Sequence, residues 1–250
     1  MIKEKIYLSI IIPLYNEEKR LINLPNIYNY LNNQKFNWEI ILVNDGSKDN
    51  TKKIATNIIK NNSFKKVRLI SYKNNRGKGF AVKNGMLKAR GEHRLFIDID
   101  LSTPIEELKK ILIFINKFDI IIGSRKRKGA QVIKHQPKIR EKLGKEFTRL
   151  SRKILGLKVT DFTCGFKCFS ANSAKKIFSI QKIERWGFDA EILFLAQKLN
   201  MSIKEVAIVW KNDGETKVRL PKDMIISFLD LLKIRYYTIR NLYSEFPINS

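Results

Sequence analysis

Short apolar runs rich in β-branched side chains recur through the first half of the chain: YLSIIIP at 7–13, WEIILVN at 38–44, VRLISY at 67–72, HRLFIDID at 93–100 and FDIIIGS at 118–124. Runs of this length and make-up predict β-strands. The stretches between them predict helices near 17–32, 49–61, 78–90 and 105–116. Such alternation predicts βαβ units, and so an α/β fold with a mostly parallel sheet flanked by helices. Beyond Gly123 the pattern changes to a basic loop and helices near 140–157, 171–178 and 188–199. A strand near 203–210 and a helix over 222–243 follow. No repeat, low-complexity tract or flexible linker interrupts it, which predicts one domain over 1–243 and a tail at 244–250.

Ligands of open parallel sheets sit beyond the carboxyl ends of the strands. The clusters YNEE, NDGS, NNRGKG and DIDLS each follow one of the predicted strands, so all four should converge on one crevice. Asp98 and Asp100 stand two apart at the end of an apolar run, which on a strand puts both carboxylates on one face. They repel unless a cation lies between them, and Mg²⁺ or Mn²⁺ with oxygen ligands would resolve the conflict. The plainer reading is a pair of solvated turn acids. Asp45 and Gly46 make a turn that Ser47 or Asp49 can cap. Asp45 could also accept hydrogen bonds from a nucleobase or ribose. Gly77 and Gly79 flank Lys78 where a helix begins, and with Arg76 they suit a diphosphate. The segment is neither a G-x-G-x-x-G fingerprint nor a P-loop.

Charge narrows the choice of partner. With 49 Lys and Arg against 24 Asp and Glu, the chain carries a formal net charge of +25, which suits nucleic acid, an anionic membrane surface or a phosphorylated small molecule. A compositional bias toward Lys, Asn and Ile is the alternative source of that charge. No aromatic-interleaved basic motif favours nucleic acid. Residues 125–158 alone carry thirteen Lys and Arg against two Glu. Within them Ile139, Leu143, Phe147, Leu150 and Ile154 fall at helical spacing, either a stripe packed on the core or the apolar face of an interfacial helix. The final helix, with Lys233, Arg235 and Arg240, repeats that choice. Cys164 and Cys168 give neither a disulfide framework nor a C-x-x-C pair and read as packing thiols in a reducing cytosol. No signal peptide or run of about 20 apolar residues is present, so the expectation is a cytoplasmic protein, peripheral at the cytosolic face of a membrane.

SIIIPLYNEE, EIILVNDGS, NRGKGFAVKNGM, LFIDIDLSTP, GSR, DFTCGFKCFS and WGFDAEILFLA resemble, in that order, the motifs of family 2 inverting glycosyltransferases with the Rossmann-like GT-A fold. The likeness is closest to the dolichyl- and polyprenyl-phosphate β-glucosyltransferases and runs from about Leu8 to Tyr237. It implies that Pro13, Tyr15 and Glu17 surround the base and ribose, that Asp45 and Gly46 contact the nucleoside, and that Lys78 faces the phosphates. It implies that Asp100 is the main metal ligand, with Asp98 nearer the nucleotide. Ser102 stands where mannosyl relatives often carry Gln, which tilts the donor toward UDP-glucose and away from GDP-mannose. The resemblance also places Arg125 at the site, Asp161 near the sugar, and Lys217 near a donor or acceptor phosphate.

The implied reaction moves a hexose from a nucleotide sugar to a polyprenyl or dolichyl phosphate. A phosphate acceptor is already anionic near neutral pH, because the second pKa of a phosphomonoester is about 6. A hydroxyl acceptor would instead require a base, with Asp189 or Glu191 the candidates, unless both are simply the acidic first turn of a helix. A saccharide acceptor and a metal-dependent nucleotidyltransferase share the donor-site features, and a basic nucleic-acid binder is the distant alternative.

Overall fold

The computed structural model describes residues 5–61, 64–214 and 222–243. Lys217 and the tail 244–250 lie outside the described residues. The elements run β1 (Leu8–Leu14), α1 (Leu24–Asn32), β2 (Trp38–Asp45), α2 (Thr51–Asn61), β3 (Val67–Tyr72), α3 (Lys78–Lys88), β4 (His93–Ile97) and α4 (Leu108–Leu112). There follow β5 (Ile120–Ser124), β6 (Gln131–Lys134), α5 (Lys138–Leu155), β7 (Phe166–Ser170), α6 (Ala171–Ile180) and α7 (Phe188–Lys198). The described part closes with β8 (Ile203–Ala207), β9 (Val209–Lys211) and α8 (Lys222–Ile239).

Seven strands form one sheet in the order β3-β2-β1-β4-β7-β5-β8, all parallel except β7, which runs antiparallel between β4 and β5. Side chains on a strand alternate faces, and here both faces are covered. Ile11, Ile41 and Val43 point into a core shared with α3, α6 and α7, whereas Ile10, Ile12, Ile40 and Leu42 point into one shared with α1, α2 and α4. This two-sided burial is why the strands read as continuous apolar runs. The chain winds outward from β1 to β2 and β3, then returns to β4 on the other side. A crevice therefore opens between the carboxyl ends of β1 and β4.

Three sequence expectations change. The 93–100 run stops being strand at Ile97, and Asp98, Ile99 and Asp100 form a turn closed by the Leu101 amide on the Asp98 carbonyl (3.2 Å), with Leu101 at φ 50°. The two acids are therefore brought together by a turn and not by strand alternation. The run at 203–210 splits at Ile208: β8 pairs with β5, while β9 leaves the main sheet for β6, a strand inside the predicted basic loop. The last helix ends at Ile239, short of 243, with Asn241 in the left-handed region at φ 52°.

α5 and α8 resolve the choice left by their patterns in different ways. On α5, Phe147 and Ile154 pack on the core, while Ile139 at the opposite end is 76% exposed. On α8 the buried positions are Ser227, Asp230, Leu231 and Ile234, and the outward face carries Ile225, Leu229, Leu232, Tyr236 and Ile239. That helix is more polar toward the protein than a core helix needs and more apolar toward solvent than a surface helix tolerates.

Candidate active site

A cleft of about 670 Å³ lies over the carboxyl ends of the strands. It gathers Pro13, Tyr15, Glu17, Asp45, Lys78, Asp98, Asp100 and Arg125 from separate parts of the sequence. All but Lys78, which opens α3, come from a strand end or the residues just after one.

Asp45 ends β2 and is nearly fully buried. Its carboxylate accepts from the Asn75 amide (2.7 Å) and from the backbone N–H groups of Arg76 and Gly77 (each 2.8 Å). Burial holds its pKa above the usual carboxylate value, against the opposing pull of the Arg76 and Gly77 N–H groups. The acid thus holds the 75–77 loop over the cleft. Gly46, at φ +61°, lies so close under that loop that a Cβ would come within 2.6 Å of the Asn74 carbonyl carbon. Arg76 points away, paired with Glu184, so only Lys78 of the expected cation pair enters the cleft.

The carboxylates at the centre have different partners. Asp98 Oδ1 is 2.6 Å from Lys78 Nζ. Burial disfavours the lysine's charge, but Asp98 and then Asp189 outweigh it and hold its pKa above the ordinary lysine value. Asp100 Oδ1 accepts from the Ser102 amide at 2.8 Å. Burial first and the neighbouring Asp98 second hold the Asp100 carboxyl above its usual range. Asp98 and Asp100 supply hard oxygen donors in need of positive charge, which fits Mg²⁺ or Mn²⁺. Among the described residues no cluster of three or more His, Cys, Asp or Glu could hold a metal, so phosphate oxygens and water would have to complete the coordination.

Arg125 follows β5. Its Nε and Nη2 donate to the two carboxylate oxygens of Asp161, both at 2.7 Å, and Nη2 also donates to Thr163 Oγ1 at 2.8 Å. The guanidinium lies 5.4 Å from the Trp210 ring centroid. Burial pushes the Asp161 carboxyl up, but Arg125 overrides it and holds the acid at about 2. Asp161 is 0% exposed, so the expected sugar contact is instead the buried support of Arg125.

The two candidate bases both sit on the first turn of α7 and are both buried. Asp189 is ion-paired with Lys167, and burial holds its carboxyl above the usual range. Glu191 does not reach the cleft. It accepts from the amides of Lys182 (2.9 Å) and Ile183 (2.8 Å) and from the Tyr243 hydroxyl (2.8 Å), while burial lifts it to about 7. It ties the segment before α7 to the residues after α8. Cys164 and Cys168 are buried free thiols.

Sequence reading missed several cleft residues. Arg185 and Trp186 stand immediately before the GFDAE segment, and Trp210 and Gln136 come from the β6–β9 ribbon and the residue stretch after it. Arg20 pairs with Glu17 (3.0 Å) and with Asp213 at the rim. Lys167 carried a readable signal: it is a lone cation inside the apolar run FKCF, the same pattern that singled out Asp98.

The seven-stranded order, with helices on both faces and paired acids at the β4 end, is the GT-A fold of the solved glycosyltransferases on which the chain superimposes. The chain belongs to glycosyl transferase family 2, whose model matches residues 9–178. It is 36% identical over 245 residues to a dolichyl-phosphate beta-glucosyltransferase of Dictyostelium discoideum, covering 93% of this chain and 75% of the relative. The Homo sapiens protein of the same description is 34% identical, with 92% and 76% covered. Among solved structures, Mycobacterium tuberculosis glucosyl-3-phosphoglycerate synthase with Mn²⁺, UDP and glucosyl-3-phosphoglycerate superimposes at TM-score 0.64 and 16% identity, over 91% of this chain and 79% of that one. S. aureus TarS 1–349 with UDP-GlcNAc gives 0.58 and 21%, over 92% and 66%. These two similarities establish the fold alone.

Proposed function

We propose that the chain transfers glucose from UDP-glucose to a polyprenyl or dolichyl phosphate at an anionic membrane surface. The observation that carries this reading is the convergence of Asp98, Asp100, Lys78 and Arg125 on one cleft, together with curated relatives described as dolichyl-phosphate beta-glucosyltransferases over most of this chain. The UDP and UDP-GlcNAc bound in the structural neighbours are consistent with it.

In this reading Asp100, with Asp98 nearer the nucleotide, would hold the divalent ion. That ion, when bound, supplies Lewis-acid stabilisation of the departing diphosphate. Tyr15, Pro13 and Glu17 border the nucleoside, while Asp45 and Gly46 shape the loop that covers it. Lys78 presents a permanent positive charge toward the developing negative charge on UDP. Arg125, held by Asp161, faces the acceptor phosphate. An acceptor oxygen forms the new bond to C1 as the bond from C1 to the β-phosphate oxygen breaks, and the electron pair leaves on UDP. The acceptor is ionised at neutral pH, so no base is needed. Glu191 therefore falls outside the catalytic set, and Asp189 serves through its charge.

A donor screen tests the reaction. UDP-glucose with polyprenyl phosphate and Mn²⁺ or Mg²⁺ should release UDP well above the rate without lipid, and GDP-mannose should not substitute. UDP release that is indifferent to lipid phosphate but stimulated by a saccharide would replace this acceptor with a hydroxyl.

The membrane surface is supported by α8, which bears the outward apolar face described above and lines the cleft with Lys222, Asp223 and Ile226. No helix among the described residues is long and apolar enough to cross a membrane. An apolar face flanked by Lys233, Arg235 and Arg240 suits the headgroup region, where each cation near anionic lipid contributes about 1 kcal/mol. Cosedimentation with phosphatidylserine vesicles should be strong at low salt and fall when Leu229 and Leu232 are both replaced by Ser. Absence of binding at low salt would remove the surface role of α8.

A further inference from the structure

Lys167 lies on β7 between Phe166 and Cys168 with its side chain fully buried, its Nζ 5.1 Å from the centroid of the Phe96 ring. The ammonium donates to the Cys164 carbonyl (2.6 Å) and to Asp189, itself buried. An ion pair taken out of water is often no more stable than apolar side chains of the same volume. Packing alone therefore does not explain a lysine and an aspartate here, and their neighbours suggest what they do.

We infer that Lys167 is a positioning residue that sets the orientation of the Asp98 carboxylate through two separate arms. One arm is the backbone. Lys167 ties down the Cys164 carbonyl, and the next residue, Gly165, abuts Asp98 so closely that a Cβ there would stand 2.1 Å from Asp98 Oδ2. The other arm is electrostatic. Lys167 keeps Asp189 paired, and Asp189 in turn acts on Lys78, whose Nζ contacts the opposite oxygen, Asp98 Oδ1. Asp98 is thus confined between a lysine on one oxygen and a peptide wall on the other; Lys167 bonds the wall through the Cys164 carbonyl and acts on the lysine through Asp189.

Without Lys167, a buried Asp189 would compete with Asp98 for Lys78, and the Cys164–Gly165 peptide would lose its donor. Asp98 would then lose its fixed orientation in the cleft, where the ion and diphosphate would bind. The substrate side of this inference rests on the nucleotide-sugar reading above.

The test uses the full chain carrying Lys167→Met, and the double variant Lys167→Met with Asp189→Asn, which removes both charges and so avoids a lone buried carboxylate. UDP affinity is measured by titration calorimetry in Mn²⁺ and in EDTA, and thermal unfolding is followed in parallel. Lys167→Met is expected to melt lower and to lose at least tenfold of the Mn²⁺-dependent gain in UDP affinity, with little change in EDTA. The double variant is expected to recover most of the melting temperature while still lacking that gain. A Lys167→Met protein that keeps the wild-type Mn²⁺ gain would overturn the inference and reduce the pair to a structural one, and a double variant that regains it in full would overturn the backbone arm. A wild-type protein whose UDP affinity ignores Mn²⁺ would overturn the nucleotide-sugar reading, and this inference with it.

Discussion

Asp100→Asn is expected to lower UDP release with polyprenyl phosphate by about three orders of magnitude while leaving the protein as stable as before, or more so. A bound divalent ion contributes several kcal/mol to charge stabilisation in the transition state, and each 1.4 kcal/mol is about tenfold in rate. Asn preserves the shape and the oxygen that accepts from the Ser102 amide, so the loss isolates the charge. Stability moves the other way because burial and Asp98 both disfavour the ionised carboxyl. A carboxyl whose pKa is raised by folding binds more protons in the native state than in the unfolded one. Its ionisation therefore erodes stability as pH rises, and at neutral pH without metal the neutral amide removes that burden. Asp98→Asn should behave differently: it leaves Lys78 without its direct partner and should melt lower than wild type. Steady-state UDP release and thermal melts in EDTA read both outcomes, and an Asp100→Asn enzyme within tenfold of wild type would displace Asp100 from its role.

That opposition between activity and stability shows what could be read from the chain alone. Strands β1, β2, β4 and β5 were legible because parallel strands buried on both faces carry long apolar runs, whereas β3 is a half-exposed edge strand; the crevice followed because the polar clusters sit at the strand ends. The antiparallel strand β7 is absent from the elements that the pattern predicts. FKCF looks like any short apolar run, and nothing local states that it threads between β4 and β5. The split at Ile208 escaped for a related reason, since the residues stay extended and only their hydrogen-bond partner changes from β5 to β6.

Among the site residues, the strand-end acids announced themselves by interrupting apolar runs. Their internal partners did not. Asp45 reads as a free ligand until the fold brings Asn75 and Gly77 to it, 30 or more residues along the chain. Asp161 reads as a sugar contact until Arg125 closes over it. Glu191 looks like a cleft acid because α7 begins at the cleft, but two further residues turn it to the side facing Lys182, Ile183 and Tyr243. Sequence spacing gave each acid's neighbourhood, whereas its direction depended on contacts made across the sheet.

The Arg125–Asp161 pair provides the other large effect. Arg125→Met alone leaves a buried carboxylate without its cation, a change that typically costs about 3–5 kcal/mol of stability. It should also reduce turnover on polyprenyl phosphate by a hundredfold or more, since a preorganised donor to the reacting phosphate is lost. The pair has an acid signature as well. Asp161 is held at about 2 against an ordinary 3.8, so its contribution is complete above pH 4 and is lost as pH falls through 2. A shift of that size corresponds to about 2 kcal/mol. Denaturant unfolding at pH 7 and pH 3 should therefore show a steeper acid loss in wild type than in the double variant Arg125→Met with Asp161→Asn. That double variant separates the two roles: removing both charges should restore much of the stability at pH 7, yet turnover on lipid phosphate should stay low. If it instead worked at close to the wild-type rate, the acceptor phosphate would have to be received by other cleft cations, with Arg185 and Lys222 the first to replace.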